Sequence, residues 1–180
     1  MTHTQLKGFI LAAEFAIIIA IFSQLIVPLG LVPLTGQTFA VGLCATVLKR
    51  KYSCWAITIY LLLGLIGLPV FAGMASGIGA LFGPTGGFLF GFLLTGWITG
   101  SYLQHFGYHY FHTITANLLG AFATLIMGTI GLAFSGHLSA TAAFNAGFMP
   151  FIVPAIIKAA AAGWLGALLY KRIRYFQISD

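Results

Sequence analysis

An all-α, polytopic membrane protein, a bundle of six transmembrane helices with a glycine-rich re-entrant loop, is the fold class this sequence predicts, on three observations. Of 180 residues, 60% are hydrophobic and only 6% are charged, too few polar side chains to cover a water-soluble globule of this size. The apolar stretches run from Phe9 to Tyr170 with only short breaks, so the mean hydropathy of +1.04 belongs to the whole chain rather than to one anchor on a soluble domain. The basic residues gather at the ends of the apolar spans, the distribution that the positive-inside rule gives to cytoplasmic loops.

Crossing the hydrocarbon core takes roughly 20 apolar residues, fewer where protein neighbours share the depth. On that criterion residues 9–29, 38–48, 54–68, 86–103, 115–134 and 148–170 form the spans of a single membrane domain, 1–180. The first is too long for the hydrophobic region of a signal peptide and has no clean small-residue cleavage site, so it reads as a retained helix. It carries Ala12, Ala16 and Ala20, a small-residue stripe that lets another helix approach closely, for docking or for internal packing. The second and third spans are short, and the regions around Pro33 and Pro69 are expected to complete them as irregular backbone facing protein or a cavity.

Next comes the run GMASGIGALFGPTGG, with Gly73, Gly77, Gly79, Gly83, Gly86 and Gly87. That density suits tight turns and close backbone approach rather than a regular helix. Its apolar members Met74, Ile78, Leu81 and Phe82 favour a re-entrant loop over a solvated outer loop. Further on, His105, His109 and His112 have the i, i+4, i+7 spacing that would put three imidazoles on one helix face, as for a metal. They alternate with Tyr102, Phe106, Tyr108, Tyr110 and Phe111, without a nearby acid or cysteine, so an interfacial aromatic belt is the preferred reading and no metal is assigned.

With the N-terminus in the cytoplasm the turns alternate: outside near Gly30, inside at Lys49, outside near Pro69, inside near His105, outside near Ser135, inside at Lys171. Lys7, the Lys49, Arg50 and Lys51 cluster, and Lys171, Arg172 and Arg174 then all lie on the cytoplasmic side. Both termini are therefore expected to be cytoplasmic. The same placement removes the nucleic-acid reading that a pI near 9.6 invites, because the cations form no binding face. Cys44 and Cys54 flank the central basic cluster, where a disulfide would not persist, and read as small apolar residues.

Chemistry is narrowly bounded. No lysine follows a glycine, so the chain has no GxxxxGK[ST] loop with which to cradle the phosphates of ATP. Glu14 and Asp180 are the only acids, which leaves neither a carboxylate pair nor a Ser/His/Asp arrangement. The chain is read as a binder of a small molecule rather than an enzyme. Lys158 stands out because an ammonium group inside a span costs several kcal/mol unless it meets a cavity or a partner. Either it contacts a ligand or it pairs with Glu14, although the two are expected to differ in depth by about 10 Å.

The segments VPLTGQTF (Val32 to Phe39) and GLPVFAGMASGIGALFGPTGGFLFGF (Gly67 to Phe92) resemble the BioY family, the biotin-specific S components of energy-coupling-factor (ECF) transporters, over most of the chain. The resemblance implies a multi-pass protein of the bacterial cytoplasmic membrane that captures biotin from outside and needs no cofactor. It further implies transport driven by a transmembrane coupling subunit and two cytoplasmic ATPases, with the stripe Ala12, Ala16 and Ala20 docking on the coupling subunit. The loop containing Thr35 and Gln37 matches one that closes over the vitamin. The run containing Phe71, Gly73, Met74, Ala75, Ser76 and Gly77 matches one that lines the pocket. Phe151 to Lys158 aligns with the family's Phe-Ile-Pro-Gly-Asp-x-x-Lys pattern, with Val153 and Pro154 in place of Pro-Gly and Ala155 in place of Asp, which removes a polar contact to the ligand. Lys158 is then expected to donate to the ureido carbonyl or the carboxylate of biotin, Ser76 or loop carbonyls to accept from its N–H groups, and Phe71, Phe88 and Phe151 to pack its rings. Two other readings stand beside this one: a self-sufficient secondary carrier for biotin or a close analogue, and a membrane-embedded enzyme.

Overall fold

The structure, a computed structural model, describes residues 3–172; Arg174 and Asp180 lie outside the described residues. In chain order come α1 (His3–Ser23), a hairpin of β1 (Ile26–Val27) and β2 (Leu34–Thr35), α2 (Gln37–Leu65) and a 3-10 turn (Ala72–Met74). They are followed by α3 (Gly77–Phe82), α4 (Gly86–Phe106), α5 (Tyr110–Ser135), α6 (Ala140–Gly147), a second 3-10 turn (Met149–Phe151) and α7 (Ile152–Arg172).

α2 is two antiparallel limbs rather than one rod. Its regular backbone breaks at Lys49, with φ 62° and ψ 178°. Gln37, at its start, donates from Nε2 to the hydroxyl of Tyr60, near its end. In a straight helix residues 23 positions apart would be about 35 Å apart, so the chain reverses at the break. These limbs are the two short spans expected from the sequence, and with α1, α4, α5 and α7 they make a six-helix bundle. His3–Ser23, Gly86–Phe106, Tyr110–Ser135 and the largely helical stretch Ala140–Arg172 are each long and apolar enough to cross a membrane.

The basic segments collect at one end. A side chain at Gly8 would overlap the ring of Tyr52, and one at Gly100 would overlap the backbone of Arg50. Tyr108 stacks on Tyr170 at 3.8 Å, and the Lys171 ammonium lies 4.2 Å from the centre of the Tyr110 ring. The neighbourhoods of Lys7, Lys49, His105 and Lys171 therefore share that end. Around the bundle Ile17, Ile21, Phe111, Phe134, Val153 and Trp164 are all more than half exposed, a surface suited to lipid and not to water. Inside, α4 and α5 are joined by hydroxyl to carbonyl bonds, Thr95 Oγ1 to Gly120 O at 2.8 Å and Thr99 Oγ1 to Ala116 O at 3.0 Å, a familiar glue between helices in lipid.

Several boundaries differ from the sequence reading. α1 begins and ends about six residues early, because residues 26–27, apolar enough to extend a helix, pair instead with Leu34 and Thr35. Apolar runs alone do not separate helix from strand. The glycine-rich run contains a regular element after all, the six-residue α3. The three histidines fall on different elements, because Gly107 at φ 85° ends α4 and His109 caps α5, its Nδ1 accepting from Phe111 N at 3.4 Å. Their spacing therefore describes no shared helix face. The last span is preceded by α6, whose first turn is capped by Ser139 Oγ accepting from Ala142 N at 3.3 Å. Pro150 then interrupts the helix, having no N–H to give.

Candidate functional site

At the end of the bundle away from the basic segments lies a cavity of about 230 Å³. Six parts of the chain converge on it: the hairpin, the start of α2, the glycine-rich run, the first two turns of α4 and of α7, and Leu125 of α5. Its walls are mostly apolar, with Phe71, Phe88, Phe92, Leu125 and Phe151 prominent. Polar groups are few and convergent: Thr35, Gln37, Thr38, Thr85 and Lys158. This is the usual composition of a site for one small molecule.

The aromatic walls are set by glycines on the helices behind them. Gly64 on α2 leaves room for the ring of Phe71, and Gly128 on α5 leaves room for that of Phe88; a methyl group at either position would overlap the ring. Tyr60 meets Phe71 edge to face with centroids 5.5 Å apart, and Phe88 lies 6.0 Å from Phe151. The glycine-rich run is tied to the end of α1. Ser23 Oγ donates to Val70 O at 2.7 Å, Gln24 Nε2 donates to Phe71 O at 3.0 Å, and Gln24 Oε1 accepts from Met74 N at 3.2 Å.

Lys158 is half-buried on the second turn of α7, with its ammonium 2.9 Å from the carbonyl oxygen of Thr35. Thr35 Oγ1 donates to Gln37 Oε1 at 2.8 Å, and Gln37 passes the chain on to Tyr60. One polar thread thus joins α7, the hairpin and both limbs of α2. Among the described residues the one carboxylate is Glu14, exposed on the outer face of α1. The ammonium retains N–H groups for a ligand acceptor, and nothing acidic in the chamber balances its charge. An oxygen-rich or anionic small molecule is the natural occupant.

The structure brings together eight of the residues singled out by sequence: Thr35, Gln37, Phe71, Ala75, Phe88, Phe151, Ala155 and Lys158 all line the chamber. Gly73, Met74, Ser76 and Gly77 do not. Gly73 and Gly77 make turns at φ 68° and 80°, Ser76 is the extended residue before α3, and Met74 points away, 64% exposed. The wall carries other residues, Val32, Thr38, Ala72, Thr85, Leu89, Phe92 and Leu125 among them. Phe92 was legible in principle, one helical turn beyond Phe88 on the same face; Leu125 on α5 carries no sequence signal. The alanine stripe is also placed differently from the docking expectation. Ala12 and Ala16 are fully buried and Ala20 partly so, packed in the chain's own core. α1 would have to separate from its neighbours before that face could meet a second protein.

A profile of the BioY family matches residues 1–175. The chain is 43% identical over 175 residues to the biotin transporter BioY2 of Lactococcus lactis subsp. cremoris, covering 97% of this chain and 96% of that one. It is 36% identical over 169 residues to the biotin transporter BioY of Thermotoga maritima, covering 92% and 97%. Among solved structures it matches the S component for biotin from an ECF-type ABC transporter with a TM-score of 0.87, 27% identity, and coverage of 96% and 95%.

Proposed function

The chain belongs to the BioY family, and on that premise we propose that its chamber captures biotin as the S component of an ECF-type uptake transporter. The observation that carries this reading is the single ammonium, Lys158, set in an apolar chamber of small-molecule size. A bicyclic thioether and ureido ring system with a short apolar tail suits walls of Phe71, Phe88 and Phe151, while Lys158 supplies the donor for the ureido carbonyl. The protein works by holding its ligand, not by transforming it.

The reading extends to orientation and partners. The basic end faces the cytoplasm by the positive-inside rule, which puts both termini on the cytoplasmic side of a bacterial cell membrane and opens the chamber towards the outside. Because the 180 residues contain no phosphate-cradling loop, energy comes from elsewhere: a transmembrane coupling subunit and two cytoplasmic ATPases. Docking through Ala12, Ala16 and Ala20 requires α1 to part from its neighbours, so it belongs to a rearranged state. Purified protein titrated with biotin by calorimetry tests the capture step. Saturable binding by the natural chain that is lost in Lys158→Ala supports it, and unchanged affinity in that variant overturns it. Uptake that continues in cells lacking the ATPases would replace the ECF assignment with a self-sufficient carrier.

A further inference from the structure

Against the chamber lies a second cavity, of about 10 Å³, and Thr38, Phe92, Ala155 and Lys158 belong to the walls of both. Asn117 of α5, 1% exposed, faces this smaller space. Its amide orientation is determined by its neighbours. Nδ2 donates to Thr46 Oγ1 at 2.7 Å and to Thr113 O at 2.8 Å, and Thr46 gives its own proton to Gly42 O at 2.9 Å. A flipped amide would set Oδ1 against two acceptors. The carbonyl oxygen therefore points the other way, where it has no hydrogen-bond partner among the described residues; the same is true of Thr38 Oγ1. Gly42 is part of this arrangement, since a side chain there would overlap Asn117 Oδ1.

Two unmatched oxygens and a lysine around a space the size of one water define a hydration site, because a buried carbonyl left alone is costly and a water needs two to four polar partners. Ala155, on the wall between the two cavities, offers the chamber no acceptor of its own. We propose that Asn117, Thr38 and Lys158 hold one internal water that serves the ligand as an acceptor. The water donates to Asn117 Oδ1 and Thr38 Oγ1, accepts from Lys158 Nζ, and turns its remaining lone pair to a ligand N–H. Lys158 uses its three N–H groups on Thr35 O, the water and the ligand carbonyl. Asn117 is then a specificity-determining residue that selects a ligand with an N–H beside a carbonyl, acting through the water without touching the ligand. This rests on the reading of the chamber as a biotin site.

The test is biotin affinity of the purified 180-residue chain in five forms: natural, Ala121→Val, Thr38→Val, Ala155→Asp, and Ala121→Val combined with Ala155→Asp. Ala121 lines only the small cavity, so valine there displaces the water without entering the chamber, and Thr38→Val removes one anchor at nearly constant volume. Each single change is expected to weaken binding by about tenfold, the loss of one bridging hydrogen bond. Ala155→Asp supplies a direct acceptor, so in that background Ala121→Val is expected to cost less than about threefold. If natural protein binds biotin and Ala121→Val or Thr38→Val binds equally well, the water is wrong while the biotin reading stands. Equal losses with and without Ala155→Asp would assign the effect to packing and also overturn it. Failure of the natural protein to bind biotin overturns the underlying reading instead.

Discussion

The ammonium of Lys158 and the carbonyl oxygen of Thr35 lie 2.9 Å apart, so the second turn of α7 is tied directly to the hairpin that walls the chamber. The residues are 123 positions apart in sequence, and the bond ties the ammonium in the chamber wall to the segment that lines the opposite side. A change at Lys158 therefore has two consequences that can be read separately.

Lys158→Met keeps the apolar stem and removes the charge. Loss of a charge-assisted hydrogen bond of about 1.5–3 kcal/mol predicts biotin affinity lower by roughly tenfold to a hundredfold. Without ligand, amide exchange in residues 26–35 is expected to quicken as the hairpin loses its tie to α7. Calorimetry reads the first effect and hydrogen exchange the second.

Gly64→Ala is expected to push Phe71 into the chamber, because a methyl group on α2 would overlap its ring. Overpacking of this kind costs about 1–3 kcal/mol, or roughly fivefold to a hundredfold in biotin affinity where it falls on the binding-competent shape. Gly128→Ala acts in the same way on Phe88. Gly79→Ala is the control: nothing lies within 4 Å of its would-be side chain, and binding is expected to stay as it is.

Tyr60→Phe leaves the buried Nε2 of Gln37 without its acceptor. A stranded buried amide costs about 1–3 kcal/mol, and at about 2–4 °C per kcal/mol for a chain of this size the thermal midpoint in detergent is expected to fall by several degrees. Adding Gln37→Met removes both polar partners. The double variant is expected to melt above the value given by adding the two single losses.

Lys49→Gly is expected to raise the thermal midpoint. Lys49 holds φ 62° and ψ 178°, a conformation that is essentially reserved for glycine and costs other residues about 1–3 kcal/mol. The greater freedom of glycine in the unfolded chain returns about 0.5–1 kcal/mol of that gain, leaving a net stabilisation. A fall in the midpoint would show that contacts of the Lys49 side chain outweigh its backbone strain.

Much of this architecture is written in local chemistry. Membrane residence follows from the scarcity of charge, and the reversal at Lys49 follows from a basic cluster between two apolar runs. The place of Lys158 beside a cavity follows from the cost of an ammonium group in hydrocarbon. What local chemistry leaves undecided is which side of a segment faces what. Ala12 and Ala16 look alike as a docking face or a packing face, and the structure buries them. Gly73, Met74, Ser76 and Gly77 share a run with Phe71 and Ala75, yet only the latter two reach the chamber.

By itself, then, the sequence determined the solvent, the number of bundle helices, the reversal points and the presence of a cation within the last apolar span, because hydropathy and charge act on each segment separately. Only the tertiary structure decided that Gly64 and Gly128 shape the aromatic walls, that Thr35 meets Lys158, and that Asn117 aims its oxygen at a cavity. Those contacts join residues tens of positions apart, and their geometry exists only once the helices have packed.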